Sequence, residues 1–384
     1  MRKIPFGKPL IGEQEKKSVL EVLDCPTLVH GPRAEAFEKA FVQFTGSPFA
    51  ISVSSCTAAL HLGYLYLKIG PGDQVIVPAQ THVATAHAVE LCGAKPVFVD
   101  AELETGNIDI DQIKAKITKK TKAISVVHFL GMPVDMAAVT ALARRHSLFV
   151  VEDCALAIGS YYQGIHAGLH GDIGCFSFYP VKHMTTAEGG MVITRSEEVA
   201  KSIRLKKAFG VDRAVQERSI PGIYDVKDLG LNYRMNEIQA AIGIEQLKRV
   251  PDFLAQRKKN DETLRALLSE VEDIQLLKST QGEFQSSYYC LSIILNDSLA
   301  AIRQDVIKFL NERGVGTSVY YPRPVSLFSY YQKKYGYEEK DFPVASKISR
   351  NSIALPVGPH LRMDDMEYIA EAVKEAVAQR KCRS

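Results

Sequence analysis

The chain has 384 residues, 46% of them hydrophobic and 24% charged, material for about two domains with a sizeable core. Its 47 Lys and Arg against 44 Asp and Glu leave a formal net charge of +3, with both signs interspersed, which argues against nucleic acid or a membrane surface as the main partner. No stretch approaches the roughly 18 consecutive apolar residues of a spanning helix, and MRKIPFGKPLIGEQEKK at the N-terminus has no apolar leader core.

Up to about residue 200 the chain alternates compact β-branched runs with amphipathic ones. FAISV (49–53), DQVIVP (73–78), KPVFVD (95–100), KAISVVHF (122–129), LFVVED (148–153), CFSF (175–178) and MVIT (191–194) read as strands. TAALHLGYLYL, VATAHAVELCG and DMAAVTALARRHS between them carry helical spacing, with Gly, Asp or Ser at their ends. Such alternation, with strands apolar throughout, predicts an α/β fold around a mainly parallel sheet covered on both faces. Beyond residue 200 helices take over. RMNEIQAAIGIEQLKRV (234–250), SSYYCLSIIL, DVIKFLNERG with Gly314 as its C-cap, GTSVYY, SIALP and MDDMEYIAEAVKEAVAQ predict a smaller α/β unit. The expected division is a large domain of residues 1–250, N-terminal arm included, and a small domain of 251–384.

Seven cysteines (25, 56, 92, 154, 175, 290 and 382) are odd in number and form no C-x-x-C pair. They read as reduced thiols of a cytoplasmic protein. In HAGLH (166–170) two histidines stand at i,i+4, but Gly164 and Gly168 favour a loop and no acid completes a zinc site, so no metal is expected. GVGTSV (314–319) ends a helix instead of opening one, and no P-loop motif occurs. The basic tail QRKCRS and the charged helix KKNDETLRALLSEVED read as solvated faces.

Ligands of open parallel sheets collect at the C-terminal ends of strands, and four features fall there. Ser55-Cys56-Thr57 follows FAISV and opens a helix, offering hydroxyls and unpaired N–H groups to an anion, although a plain N-cap explains Ser55 alone. Asp153 ends VVED, either as a helix cap or as an acid needing a cationic partner. His82 in AQTHVAT is a packed histidine or a flat stacking face. In FSFYPVKHMTTAEGG (176–190) the hydroxyl of Ser177 precedes the amine of Lys182 by five positions, and Gly189-Gly190 signals a close backbone approach. An anion cradle, an acid, a flat ring and a sequestered amine together match the needs of pyridoxal 5′-phosphate (PLP) in its phosphate, ring nitrogen, ring face and aldehyde.

The sequence resembles the DegT/DnrJ/EryC1/StrS family of PLP-dependent sugar aminotransferases, of the aspartate-aminotransferase fold (fold type I). The resemblance runs along nearly the whole chain, through GPRAEAFEKAF (31–41), SSCTAALHL (54–62), PAQTHVATAHAV (78–89), HFLGMPVDM (128–136), EDCALAIGS (152–160), FSFYPVKHMTTAEGG and LGLNYRMNEIQAAIGIEQL (229–247). It implies Lys182 as the lysine that binds the cofactor covalently and Asp153 as the partner of the ring nitrogen. Ser55, Cys56, Thr57 and Ser177 fall on the phosphate cup and His82 on the stacking position. Asn232 falls on a residue that reaches the phosphate of the other subunit, implying a homodimer with shared sites, and Glu188 on an acid with a structural role.

Four positions depart from the pattern. Cys56 stands where relatives usually have Gly, so its side chain must turn away from the phosphate. Leu156 replaces a Gln or His near the phenolic oxygen, and Tyr320 and Ser326 replace histidines in YYPRPVS near the substrate. The implied reaction moves an amino group from L-glutamate to a keto sugar, nucleotide-linked by first preference, with pyridoxamine 5′-phosphate carrying the amine between half-reactions. Amination of a keto-cyclitol and a non-catalytic sensor stand as alternatives. A sugar dehydratase would carry His in place of Lys182.

Overall fold

The apolar runs become β1 (Phe49–Val53), β2 (Gln74–Pro78), β3 (Lys95–Val99), β4 (Thr121–Val127), β5 (Phe149–Asp153), the short β6 (Tyr161–Tyr162) and β7 (Ile165–His166), β8 (Ile173–Ser177) and β9 (Gly190–Thr194). The computed structural model describes residues 2–212, 220 and 223–381, so Cys382 and the end of the basic tail lie outside them. Seven strands form one sheet in the order β1-β9-β8-β5-β4-β2-β3. The pairs β2–β3, β2–β4, β4–β5 and β5–β8 are parallel, whereas β9 is antiparallel to β8 and to β1. The mainly parallel sheet thus contains one reversed strand, MVIT, entered directly from Gly189.

Helices α1 (Glu13–Leu23) and α2 (Pro32–Thr45) precede the sheet, and α3 (Cys56–Tyr66), α4 (Val83–Leu91), α5 (Ile110–Lys116), α6 (Met136–Arg145) and α7 (Glu197–Lys206) cover it. Burial follows the continuous apolar pattern: β8 and β9 are buried at every position, and β1, β2 and β5 at all but the first. Helix α3 is buried along most of its length, and its Tyr64 hydroxyl donates to Ser125 Oγ at 2.9 Å under the sheet.

Helix α8 (Glu237–Leu268) runs through Pro251 without a break. Its start is capped by Asn236, whose side chain accepts from Gln239 N while the Gln239 side chain accepts from Asn236 N. Gly243 lets Phe37 of α2 approach, since a Cβ there would lie 2.7 Å from the ring. Beyond α8 come β10 (Ile274–Leu276), β11 (Phe284–Gln285), β12 (Leu291–Leu295), α9 (Arg303–Glu312), α10 (Ser329–Tyr335), α11 (Pro343–Asn351), β13 (Ser352–Leu355) and α12 (Met363–Lys381). A second sheet has the order β10-β12-β13, and a third joins β11 to β6 and β7. Gly314 takes a left-handed φ of +78° just after α9, as a helix-ending glycine does. GTSVYY contributes one bridge, between Ser318 and Ala354.

Leu247 and Val250 of α8 pack with Phe37 and Phe176, whereas Leu264 and Leu268 pack with β12, β13 and α12. We therefore propose the division at residue 250 as a division between cores within one unbroken helix. Ile4, from the N-terminal arm, packs with Val315 in the second core.

Alternation along a strand sends neighbouring side chains to opposite faces, so the two acids of VVED part company. Glu152 is fully buried. Its carboxylate accepts from His128 Nε2 (2.9 Å) and from the amides of Gly168 (2.7 Å), His170 (2.8 Å) and Gly171 (2.6 Å). Burial alone would raise its pKa, but the hydrogen bonds from His128 and the backbone amides outweigh it and hold the carboxyl below its usual range. His128, Glu152 and Cys154 form the one metal-like grouping among the described residues, and the hydrogen bonds above already engage the imidazole and carboxylate. The HAGLH histidines belong to the segment that Glu152 pins. His166 is buried, donating from Nδ1 to Ala167 O (2.6 Å) and accepting at Nε2 from Gly159 N (3.0 Å).

Burial lowers the His166 pKa from 6.5 to about 4. The unfolded chain therefore binds this proton from about pH 6.5 downward, while the native one refuses it until about pH 4. Its contribution is full above pH 6.5 and is lost as pH falls through that window, by about 3 kcal/mol at most. Urea unfolding between pH 7 and pH 4 should show His166→Gln losing less stability than the parent; equal losses would exclude this role.

Candidate active site

The C-terminal ends of β1, β2, β4, β5 and β8 meet at one edge of the sheet, over a cavity of about 510 Å³. That volume suits a small-molecule site. Ser55, Cys56, Thr57, His82, Asp153, Ser177 and Lys182 all line it, and Glu188 stands at its exposed rim.

Ser55 caps α3, its Oγ accepting from Ala58 N at 3.1 Å. The cap satisfies one amide and leaves the first turn's remaining N–H groups, with the Thr57 hydroxyl, on the cavity side. Strand register brings Gly190 opposite both Val53 and Ser177. A Cβ on Gly190 would lie 2.5 Å from the Ser55 carbonyl carbon and 2.8 Å from Cys56 N. The close approach expected of the glycine pair is thus a contact with the turn that opens α3.

Asp153 ends β5, buried, and its oxygens are shared out. Oδ1 accepts from Ala155 N at 3.0 Å, and Oδ2 accepts from Thr85 Oγ1 at 2.8 Å. Thr85 Oγ1 is in turn 2.8 Å from Thr81 Oγ1. The Cys56 thiol turns towards Asp153 Oδ1 (3.8 Å) and Cys175 O (3.5 Å). Burial and then the Asp153 charge push its pKa well up, so it stays a neutral thiol.

His82 caps α4, its Nδ1 accepting from Ala84 N at 3.2 Å, with its ring 5.8 Å from that of Tyr321. Lys182 follows a turn closed by its own N–H to Tyr179 O (2.9 Å). Among the described residues its amine has no hydrogen bond or ion pair, and its close electrostatic neighbour is the Tyr289 ring, with Nζ 5.6 Å from the centroid. Burial lowers the Lys182 pKa, opposed by Cys56 and Asp153. The remaining wall is aromatic and aliphatic. The Tyr289 and Tyr320 hydroxyls are 2.8 Å apart, Tyr321 stands beside them, and Leu156, one of the departures from the family pattern, also lines the cavity.

Two of the singled-out residues stand apart. Asn232 is exposed, pairs through its backbone with Ala208, and does not line this chain's cavity. Ser326 is buried away from the cavity, its hydroxyl without a partner among the described residues. Sequence reasoning missed Thr81, Thr85 and Tyr289. The two threonines stand at i,i+4 around His82, a spacing that signals a shared face, whereas Tyr289 comes from the chain just before β12 and carried no local signal.

A family model for the DegT/DnrJ/EryC1/StrS aminotransferase family matches residues 9–374. The spore coat polysaccharide biosynthesis protein SpsC of Bacillus subtilis is 37% identical over 379 residues, covering 97% of each chain. PseC of Helicobacter pylori, an aminotransferase involved in the biosynthesis of pseudoaminic acid, superposes with a TM-score of 0.91 at 28% identity, covering 98% of this chain and 99% of its own. Spr1654 of Streptococcus pneumoniae in its PLP form gives 0.92 at 28% identity, with the same coverage. The fold is that of the PLP-dependent transferases of fold type I. The chain belongs to the DegT/DnrJ/EryC1/StrS aminotransferase family and is an aminotransferase.

Because burial lowers the Lys182 pKa, the cofactor-free protein should expose a nucleophilic amine below the pH at which an ordinary lysine, near 10.4, does so. The rate of Lys182 acetylation against pH, read by peptide mass spectrometry, should reach half its plateau below that value. A midpoint at or above it would contradict the desolvated amine.

Proposed function

We propose that the protein transfers an amino group from L-glutamate to a keto sugar, first of all a nucleotide-linked keto-deoxy sugar, in amino sugar biosynthesis for a surface polysaccharide or glycoconjugate. It would work in the cytoplasm as a homodimer with PLP and pyridoxamine 5′-phosphate as the two cofactor forms. The observation that carries this reading is the unpaired amine of Lys182 in one cavity with the Asp153 carboxylate. The sugar class draws on the roles of SpsC in spore coat polysaccharide biosynthesis and of PseC in pseudoaminic acid biosynthesis, and the donor on the family resemblance.

The residues present fit the cofactor. First-turn amides of α3 and the hydroxyls of Thr57 and Ser177 would hold a phosphate, His82 would lie on the ring, and Asp153 would take the ring-nitrogen proton in a hydrogen bond. Bound PLP supplies a carbonyl carbon for the amine and a ring that withdraws electrons from the substrate's reacting carbon.

Each side chain then has defined work. Lys182 Nζ would hold the cofactor covalently. When free, it would serve as the base for the proton on the donor's α-carbon and as the acid that protonates the sugar carbon in the second half-reaction. A lowered pKa favours the neutral amine needed for the first task. Thr85, Ala155 N and Cys56 fix the Asp153 carboxylate, so the group facing the ring nitrogen has little freedom. Leu156, Tyr320 and Tyr321 give the cavity an aliphatic and aromatic wall that would limit water at the reacting carbon.

Lys182→Ala should keep the urea midpoint of the parent and lose both glutamate-dependent amination of a panel of nucleotide-linked keto sugars and the borohydride-reducible link to the cofactor. Turnover near the parent's would remove the central residue from the reading.

The homodimer carries its own test. Asn232 is exposed and away from its own cavity, which suits a residue completing a partner's phosphate cup. Charge-assisted hydrogen bonds contribute roughly 1.5–3 kcal/mol, so Asn232→Ala should weaken cofactor binding about ten-fold or more. Mixed dimers of Lys182→Ala and Asn232→Ala chains would hold one doubly damaged site and one intact site, and activity should partly return. Heterodimers that form without recovering activity would show that Asn232 does not serve the partner.

A further inference from the structure

Behind the Lys182 turn lies a second, smaller cavity of about 20 Å³, sharing Val181, Lys182 and Tyr289 with the active-site cavity. Its room suits one water-sized or halide-sized group. Lys8, Lys182, His183 and Arg257 line it, and no Asp or Glu does.

Arg257 projects from α8 and is 6% exposed. Its Nη1 donates to Tyr289 O (2.8 Å) and Tyr288 O (3.4 Å), while its Nε has no partner. Among the described residues no carboxylate pairs with it. A guanidinium keeps its proton in proteins, so this buried cation cannot escape its desolvation by becoming neutral. Arg257 Cζ lies 5.9 Å from the Tyr289 centroid, and Lys182 Nζ lies 5.6 Å from the same point. One aromatic ring thus faces both the guanidinium and the Lys182 amine, and compensates the buried guanidinium only in part. His183 donates from Nε2 to Ser287 O (3.0 Å), and its Nδ1 is a second buried atom without a partner. A water would satisfy these donors and acceptors but leave the cations without counter-charge.

We infer that this pocket binds one small monovalent anion, a halide or one end of a carboxylate, seated on Arg257 and Lys8 beside Lys182. The anion supplies the negative charge that the lining lacks. It has two sources, a free inorganic halide or the carboxylate of the amino donor, the second of which rests on the function proposed above.

The test uses the cofactor-loaded protein, so that the phosphate cup is already filled, and reads chloride binding by NMR line broadening. Saturable excess broadening, reversed by acetate, is expected for the parent. Arg257→Met should weaken it about ten-fold or more, as loss of a charge-assisted bond does. Lys8→Ala, at an exposed position that leaves the core untouched, should weaken it about three-fold, and decides the matter if Arg257→Met does not fold. Absence of saturable broadening, failure of acetate to displace chloride, or parent-like affinity in Lys8→Ala would overturn the site. Glutarate, which has no amine, then separates the sources. Displacement of chloride far below the acetate concentration marks the donor's carboxylate, and displacement only at acetate-like concentration marks a free anion. Chloride binding in a protein without aminotransferase activity would sink the proposed function and leave the anion site standing.

Discussion

The site depends on the missing side chain of Gly190. Its backbone stands against Ser55 and Cys56 so closely that a Cβ would overlap the Ser55 carbonyl carbon. Through strand register the same residue faces Val53 on one side and Ser177 on the other. One contact therefore sets the turn that opens α3 against the end of β8, and with it the spacing between the first-turn amides and the Ser177 hydroxyl. It also requires β9 to enter the sheet at its C-terminal edge, antiparallel to its neighbours. The reversed strand and the placement of the α3 turn beside Ser177 are two consequences of one close approach.

Asp153 sits next to that turn because β5 places it there, but its orientation comes from elsewhere. Thr85 reaches it from α4, Cys56 from α3, and Ala155 N from the turn after the strand. The preceding acid, Glu152, points to the other face and gathers the amides of the 168–171 segment. Two adjacent carboxylates in one strand thus do opposite jobs. One locks a loop through a full set of donors, and the other is held from three sides with its open face towards the cavity.

Much of this is legible in the amino-acid sequence because it is local. Strands buried on both faces are written as unbroken apolar runs, and the residues after their C-terminal ends are where ligands gather. Ser55, His82, Asp153, Ser177 and Lys182 could be chosen on those grounds and do line one cavity. What escapes has non-local causes. The reversal of β9 depends on the Gly190 approach to a segment far away in sequence. The passage of α8 through Pro251 is hidden because a proline ordinarily ends or kinks a helix, whereas here the helix continues with Val250 and Phe253 buried around it. Tyr289 and Arg257 matter only because the 288–290 segment and α8 bring them against the Lys182 turn. Cys56 is out of place in the family pattern, but only the fold shows its sulfur turned to Asp153.

The cationic groups around Tyr289 separate what folding requires from what chemistry requires. A core selected for stability alone would pair Arg257 with an acid or replace it with an apolar side chain, because an unpaired buried charge is costly and an apolar replacement often is not. An acid at that position would also attract Lys182, raise its pKa and draw its amine out of the active-site cavity. Tyr289 holds both cations by a weaker and less directional attraction, and its hydroxyl is committed to Tyr320. The amine stays close to the wall but unbound. An exchangeable anion would add the missing charge without a fixed carboxylate competing permanently for the lysine. The absence of an acid from this lining therefore leaves the Lys182 amine without a fixed ion-pair partner.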